Sequence, residues 1–436
     1  MSGEVVVMIN KSNLCYDILK KRSLSKEIAE KFAEENDEFF EGIHDTIEDV
    51  SAREAIDIIS FLISANKYFI SKQQWEDLIY TCLTKIRNGI YNGEFSTLSS
   101  FSGITYISFI IRELRGNIPE LQRFFNTLEL LQSETLSYYL NLPEDSVFYE
   151  QNGFELIQGM SGVLKYYLDS DNDHNEIIDK IILLFIQHLK PKMIMGHPTP
   201  VCHYYPSVYE KKYMTEEAPN GCVNYSVSHG MGGPLTTLSL AYKKSSHADG
   251  VIKIIDSIIN EYMKSYYYVN DIIYWPRRIT FEQYIGQEKC SYGKSRMSWC
   301  YGSIGILNSL YAAAKEKSDI RLKKFCVNEL KKIALMDTRD YLLASPIVCH
   351  GLSGALLIFK RMYQQTKDEV FYHKVIELLE ELVYNFAYRD IENKNLTGIN
   401  EVKEYDYLEG YTGVLQTIYA VINDTVNVNE KRLLIC

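Results

Sequence analysis

The stretch "SRMSWCYGSIG", residues 295–305, sets a lone cysteine between an indole, a phenol and two glycines. Residues 348–354, "VCHGLSG", again place a cysteine just ahead of a Gly-x-x-Gly pair. Working outward, six segments carry a related signature: "SFSGI" at 100–104, "GMSGV" at 159–163, "GMGGP" at 230–234, "GSIGI" at 302–306, "GLSGA" at 351–355 and "GYTGV" at 410–414. Their second glycines are spaced 59, 71, 72, 49 and 59 residues apart. A recurring signature at such a period marks an internal structural repeat.

The sequence around each signature reads as helix. An apolar stretch follows it, such as "VLKYYL" or "ALLIFKRMY". A polar break comes next, then an amphipathic segment such as "NEIIDKIILLFIQHL", with apolar residues at i, i+3, i+4 and i+7. Each repeat is therefore predicted to be two helices, with the glycine pair at the start of one. Few Val/Thr-rich alternating runs and only ten prolines argue against an all-β fold. Six helix pairs can form an open superhelix or a closed ring. The predicted fold class is all-α, an (α/α)6 toroid of six helix-pair repeats, in which the signatures gather at one end of the inner helices. Residues 190–227 break the rhythm. They are proline-rich, show no helical period, and are predicted to be a small non-helical insertion with short strands. Residues 1–50 read as a helical lead-in and 51–436 as the toroid.

The bulk composition narrows the function. Hydrophobic residues make up 46% of 436, enough for a large core, and the net charge is −11. Nucleic-acid binding usually needs a basic face, so that class is disfavoured, whereas a basic partner would be attracted. No apolar run is long enough to cross a bilayer, and the N-terminus lacks the apolar core of a secretory signal. A cytoplasmic location is expected. Nine scattered cysteines do not suggest a disulfide framework.

The chemistry falls at one place in the repeat. Four residues before the second glycine stand His229, Tyr301 and His350, with Gln158 and Glu409 in flanking repeats. Five before it stand Ser228, Cys300 and Cys349. If the ring closes, these turns converge, and Cys300, Cys349 and His350 make a Cys2His set. Zinc favours such ligands, and three protein donors leave a fourth position open, as catalytic sites do. The residues alone leave open that both cysteines are core thiols and that His350 caps a helix. Cys202-His203 repeats the Cys-His dipeptide without the glycine signature and is not assigned to metal.

"SHGMGGP" at 228–234, "WCYG" at 299–302, "CHG" at 349–351 and the glycine signatures together resemble the lanthionine synthetase C-like family, and within it the class I lanthipeptide cyclases. The resemblance runs from about residue 50 to the "RLLI" near the end. It implies an α-toroid, one zinc ion held by Cys300, Cys349 and His350, and addition of cysteine thiols to dehydroalanine or dehydrobutyrine in a precursor peptide of leader plus core. It implies catalytic roles for His229 in its His-Gly motif and for Arg296, four before the first ligand. It also implies a role for the acid ahead of the second signature, usually Asp and here Glu155. Tyr301, next to Cys300, is expected to steady a water or the substrate carbonyl. The resemblance further implies a small extension like an SH2 domain, for which 190–227 is the candidate. A complex with a dehydratase and a transporter at the membrane is the expected setting. Two other functions stay open: a glutathione-adding enzyme of the same family and a non-catalytic peptide-binding scaffold. A prenyltransferase subunit would need a basic diphosphate pocket, and an (α/α)6 glycosidase a pair of carboxylates; neither stands out.

Overall fold

The structure is a computed structural model that describes residues 26–69, 71–141, 153–205, 216–385, 404–426 and 428–435. The described residues divide into two compact units: those within 1–96, 116–118 and 343–431 form one, and those within 97–115, 119–342 and 432–436 the other.

In the first unit, helix Ala52–Ala65 packs against both Lys72–Tyr91 and Tyr411–Asn423. It starts at a capping box: Ser51 Oγ accepts from Glu54 N–H, and the Glu54 carboxylate accepts from Ser51 N–H at 2.8 Å. Each satisfies a donor that the first helical turn would otherwise leave bare. Leu352–Thr366 packs on Glu369–Asn385 and Tyr411–Asn423. Residues 1–25 of the expected lead-in lie outside the described residues; the remainder forms helix Lys26–Thr46. Phe39 and Phe40 of that helix meet the ring of Phe61 at 5.1 and 5.0 Å between centroids, so it belongs to the core of this unit. A buried ion pair closes the unit inside: Lys360 Nζ lies 2.8 Å from Glu430 Oε1, both side chains at most 2% exposed.

Among the described residues the second unit holds four helix pairs in chain order: Ile104–Leu114 with Gln122–Leu140, Met160–Leu168 with Asn175–His188, Gly232–Ala241 with Ala248–Ser265, and Ser303–Glu316 with Ile320–Ala334. The first helix of each pair is buried almost all round; Ile304 through Ala314 are all buried. The second is amphipathic. Ile320–Ala334 buries Leu322, Cys326, Leu330 and Ile333 and leaves Lys323 and Lys324 in solvent. Each fully buried Leu or Ile stabilises by about 1.5–3 kcal/mol, so this one-sided pattern is enough to fix which face turns inward.

Short strands lie in the second unit. His203–Tyr204, Cys222–Asn224 and Arg278–Thr280 form an antiparallel three-stranded sheet, and Met193–Ile194 pairs with His197–Pro198. The sheet thus draws its third strand from beyond residues 190–227. A further hairpin, Tyr267–Val269 with Ile272–Tyr274, turns on Asn270 and Asp271, both at positive φ. Two left-handed residues between paired strands match the right-handed twist of the hairpin. The helical reading did not anticipate this hairpin, whose strands are only three residues long.

The glycine signature has a steric origin. A Cβ on Gly103, Gly162, Gly305 or Gly413 would sit 2.2, 2.5, 1.9 or 1.9 Å from the carbonyl oxygen of Thr97, Leu156, Trp299 or Tyr407. Each of those carbonyls lies six residues upstream, so the loop folds back onto the first turn of the helix with no room for a side chain. Neighbouring loops are then joined through the position five before the second glycine. Ser99 Oγ donates to the Ile157 carbonyl at 2.8 Å, Leu156 N–H to Ser228 at 3.1 Å, and Val227 N–H to Cys300 at 2.8 Å. In the first unit Cys349 N–H donates to the Leu408 carbonyl at 2.9 Å. The repeat register read from the sequence is therefore a register of hydrogen bonds accepted by backbone carbonyls.

Candidate active site

Within the second unit, the loop before helix Met160–Leu168 and the loop before Gly232–Ala241 bring Glu155 to His229. His229 Nδ1 lies 2.9 Å from Glu155 Oε2. Glu155 is fully buried, and the His229 side chain is about a third exposed, at 36%. Oε2 also accepts from Ile157 N–H at 2.9 Å, and Oε1 from Gln158 N–H. A carboxylate that accepts from backbone N–H groups on both oxygens cannot swing, so it fixes the imidazole it touches. As an ionised acceptor it calls for a proton on Nδ1, which makes Nε2 the nitrogen that takes up or gives a second proton. The His229 backbone is fixed too, its N–H donating to Ser226 Oγ at 3.0 Å.

Tyr301 stands beside this pair, its ring centroid 6.4 Å from that of His229. Its hydroxyl accepts from Asn224 Nδ2 at 3.2 Å, and burial pushes the phenol above its ordinary range, so it acts as a neutral hydrogen-bonding group. The Arg277 guanidinium lies 5.1 Å from the Tyr301 ring centroid, a cation over a π face. Neither Asn224 nor Arg277 stood out in the sequence. Asn224 lies 77 residues from Tyr301, and Arg277 belongs to the unanticipated strand region, so no local pattern could flag them. Arg296 is exposed.

Cys300 is 4% exposed, and its Sγ lies 3.7 Å from Ser298 Oγ. The adjacent Trp299 is fully buried and donates from Nε1 to the Leu433 carbonyl at 2.9 Å, which anchors the loop that presents Cys300. Cys349 and His350 lie in the first unit, half-buried, in the loop that enters helix Leu352–Thr366. They hold the same loop position that Cys300 and Tyr301 hold in the second unit. Cys202 and His203 differ. Cys202 is fully buried, which pushes its thiol well above the ordinary range, and His203 Nε2 donates to the Asn220 carbonyl at 2.8 Å. Both are structural groups of the small sheet.

Among the described residues no helix is long and apolar enough to cross a membrane. The chain matches the family described as lanthionine synthetase C-like protein over residues 56–434. It is 24% identical over 286 residues to the nisin biosynthesis protein NisC of Lactococcus lactis subsp. lactis, an alignment covering 63% of this chain. The alignment spans 65% of the length of that relative. Among solved structures, a nisin cyclase superposes with a TM-score of 0.72 at 17% identity, covering 87% of this chain and 90% of that one. That likeness shows the fold, an all-α toroid. With 56–434 matched, this chain belongs to the lanthionine synthetase C-like family.

Proposed function

We propose that this protein is a lanthionine cyclase, adding cysteine thiols of a precursor peptide to its dehydroalanine or dehydrobutyrine residues. The observation that carries the reading is the Glu155–His229 pair, a buried carboxylate that orients an accessible imidazole beside the Cys300 loop. A non-catalytic scaffold has no need of such a pair.

The reading includes one zinc ion held by Cys300, Cys349 and His350. Two thiols and an imidazole are a donor set that zinc favours, and three protein donors leave a position for substrate. When bound, the ion would lower the pKa of a substrate thiol so that it reacts as thiolate. The remaining steps fall to the chain's own residues. As the sulfur–carbon bond forms at the β-carbon, the double-bond electrons move toward the carbonyl, giving an enolate. Protonated His229 gives the Nε2 proton to the α-carbon, while the negative Glu155 carboxylate favours the imidazolium before transfer. Tyr301 and Arg296 are the proposed donors to the developing enolate oxygen. The exposed position of Arg296 requires the peptide to lie over it. The proton lost by the thiol and the one gained by the α-carbon balance, so ring closure is an isomerisation.

The reading also takes 190–227 as the candidate SH2-like extension. It sets the enzyme in the cytoplasm, beside a dehydratase and a transporter. Because ring closure leaves the mass unchanged, the test is thiol alkylation of a dehydrated precursor before and after incubation, read by mass spectrometry. Loss of alkylatable thiols at constant mass supports the cyclase. A glutathione adduct formed instead, when glutathione is supplied, would favour the glutathione-adding enzyme, and no change in either assay would sink both.

A further inference from the structure

The second unit contains a cavity of about 430 Å³ that none of Glu155, His229, Arg296, Cys300 or Tyr301 lines. Its wall includes Glu261, Lys264 and Ser265 from the last turn of helix Ala248–Ser265, together with Tyr284 and Tyr292. Glu261 is 5% exposed. Its Oε1 accepts from Tyr225 Oη at 2.9 Å and from Ser265 Oγ at 3.1 Å, and Tyr284 also hydrogen-bonds to the carboxylate. Hydroxyls satisfy the lone pairs of a carboxylate but do not neutralise its charge. The cation beside it is Lys264, whose Nζ is 3.6 Å from Oε2 on a side chain 67% exposed.

A buried carboxylate is costly unless it is closely paired with a cation. Here the pairing is loose and made by a side chain that mostly stays in water. The helix C-terminus adds partial negative charge at the same place, and two tyrosines on the wall supply aromatic rings, which attract cations. An anion would meet repulsion from both Glu261 and the helix end. The volume falls within the range of pockets that take a small group.

We propose that this cavity binds the ammonium or guanidinium of a lysine or arginine side chain on a peptide, with Glu261 as counter-ion and Lys264 as a placeholder that the ligand displaces. The inference rests on the reading that the chain takes a peptide substrate, and the net charge of −11 would draw a basic segment toward it. Tyr225 joins the cavity to the reacting region: its hydroxyl holds Glu261, and the next residue, Ser226, holds the His229 backbone.

The test uses the full chain and two blocked pentapeptides without cysteine, one with a central lysine and one with norleucine there, titrated by calorimetry at low salt. The lysine peptide should bind more tightly by about tenfold, the scale of one hydrogen bond to a charged group. Glu261→Gln keeps the size and the acceptor for Tyr225 but removes the charge, and should erase that preference. Lys264→Ala removes the placeholder at an exposed position and should tighten lysine-peptide binding. Equal binding of the two peptides overturns the proposal, as does a preference that survives Glu261→Gln. If Glu261→Gln does not fold, Lys264→Ala decides alone, and unchanged or weaker binding overturns it. Neither peptide can form a thioether, so the outcome is independent of whether the protein closes rings.

Discussion

Glu155 and His229, 74 residues apart in sequence, meet at 2.9 Å through Oε2 and Nδ1, and the same carboxylate accepts two backbone N–H groups of its own loop. Glutamate has one more methylene than the aspartate expected here from the family resemblance. The extra length is absorbed by the fold-back of the carboxylate onto Ile157 and Gln158 N–H, and the contact to the imidazole is still made.

His229→Ala should lower ring formation by about 10²–10⁴-fold, the reach of general acid–base catalysis, and leave metal content unchanged. Glu155→Gln should also lower the rate, because an amide NH2 cannot accept from a backbone N–H and no longer favours the imidazolium. It should destabilise the protein by about 1–3 kcal/mol as well, from buried donors left unpaired. The measurements are the thiol-alkylation assay, zinc content and a urea unfolding midpoint. Loss of zinc in His229→Ala would make the histidine a ligand rather than an acid.

The zinc assignment predicts about one equivalent of metal in the purified protein, from a three-donor site. The Cys300→Ala, Cys349→Ala double variant should fall to background by elemental analysis. Wild-type stoichiometry in that variant would remove these cysteines from the site.

The steric account of the signature predicts a graded response to added methyl groups. Gly305→Ala and Gly413→Ala would place a Cβ 1.9 Å from the carbonyls of Trp299 and Tyr407, and should each destabilise by about 1–3 kcal/mol or more. Gly293→Ala, with nothing within 4 Å of the new Cβ, should be close to neutral. Equal midpoints for all three in urea unfolding would contradict the close-approach explanation.

His203 predicts a pH effect on stability. Burial is the main cause that lowers its pKa, and its buried Nδ1 has no hydrogen-bond partner to accept a second proton. The folded state therefore keeps His203 neutral where the unfolded chain, with a pKa of about 6.5, takes up a proton. The unfolded state binds more protons in that window, so this contribution is intact above about pH 6.5 and is lost as pH falls toward the depressed folded value. His203→Gln should flatten the acid side of the stability profile relative to wild type. An unchanged slope below about pH 6.5 would show that His203 is not the group involved.

The periodic features were legible in the sequence because local physics writes them there. At Gly103, Gly162, Gly305 and Gly413 the second glycine is required because a helix entry folded onto a carbonyl six residues upstream excludes a Cβ, and that constraint acts within a single loop. Amphipathic segments such as Ile320–Ala334 were legible for a similar reason, since one face must be apolar every three to four residues. Cys300, Cys349, His350 and His229 could be singled out because the repeat gives them shared loop positions. The hairpin at 267–274 was missed because three-residue strands carry too little alternation to register. Only the tertiary structure decided that Glu155 grips its own loop and Nδ1 of His229, that Arg277 lies over Tyr301, and that Glu261 is buried beside a cavity with an exposed lysine as its cation. Glu155 with His229, and Arg277 with Tyr301, are pairs far apart in the chain, and no spacing rule connects them. They depend on how neighbouring loops are joined by backbone hydrogen bonds, as when Leu156 N–H meets the Ser228 carbonyl, and those bonds exist only once the helices have packed.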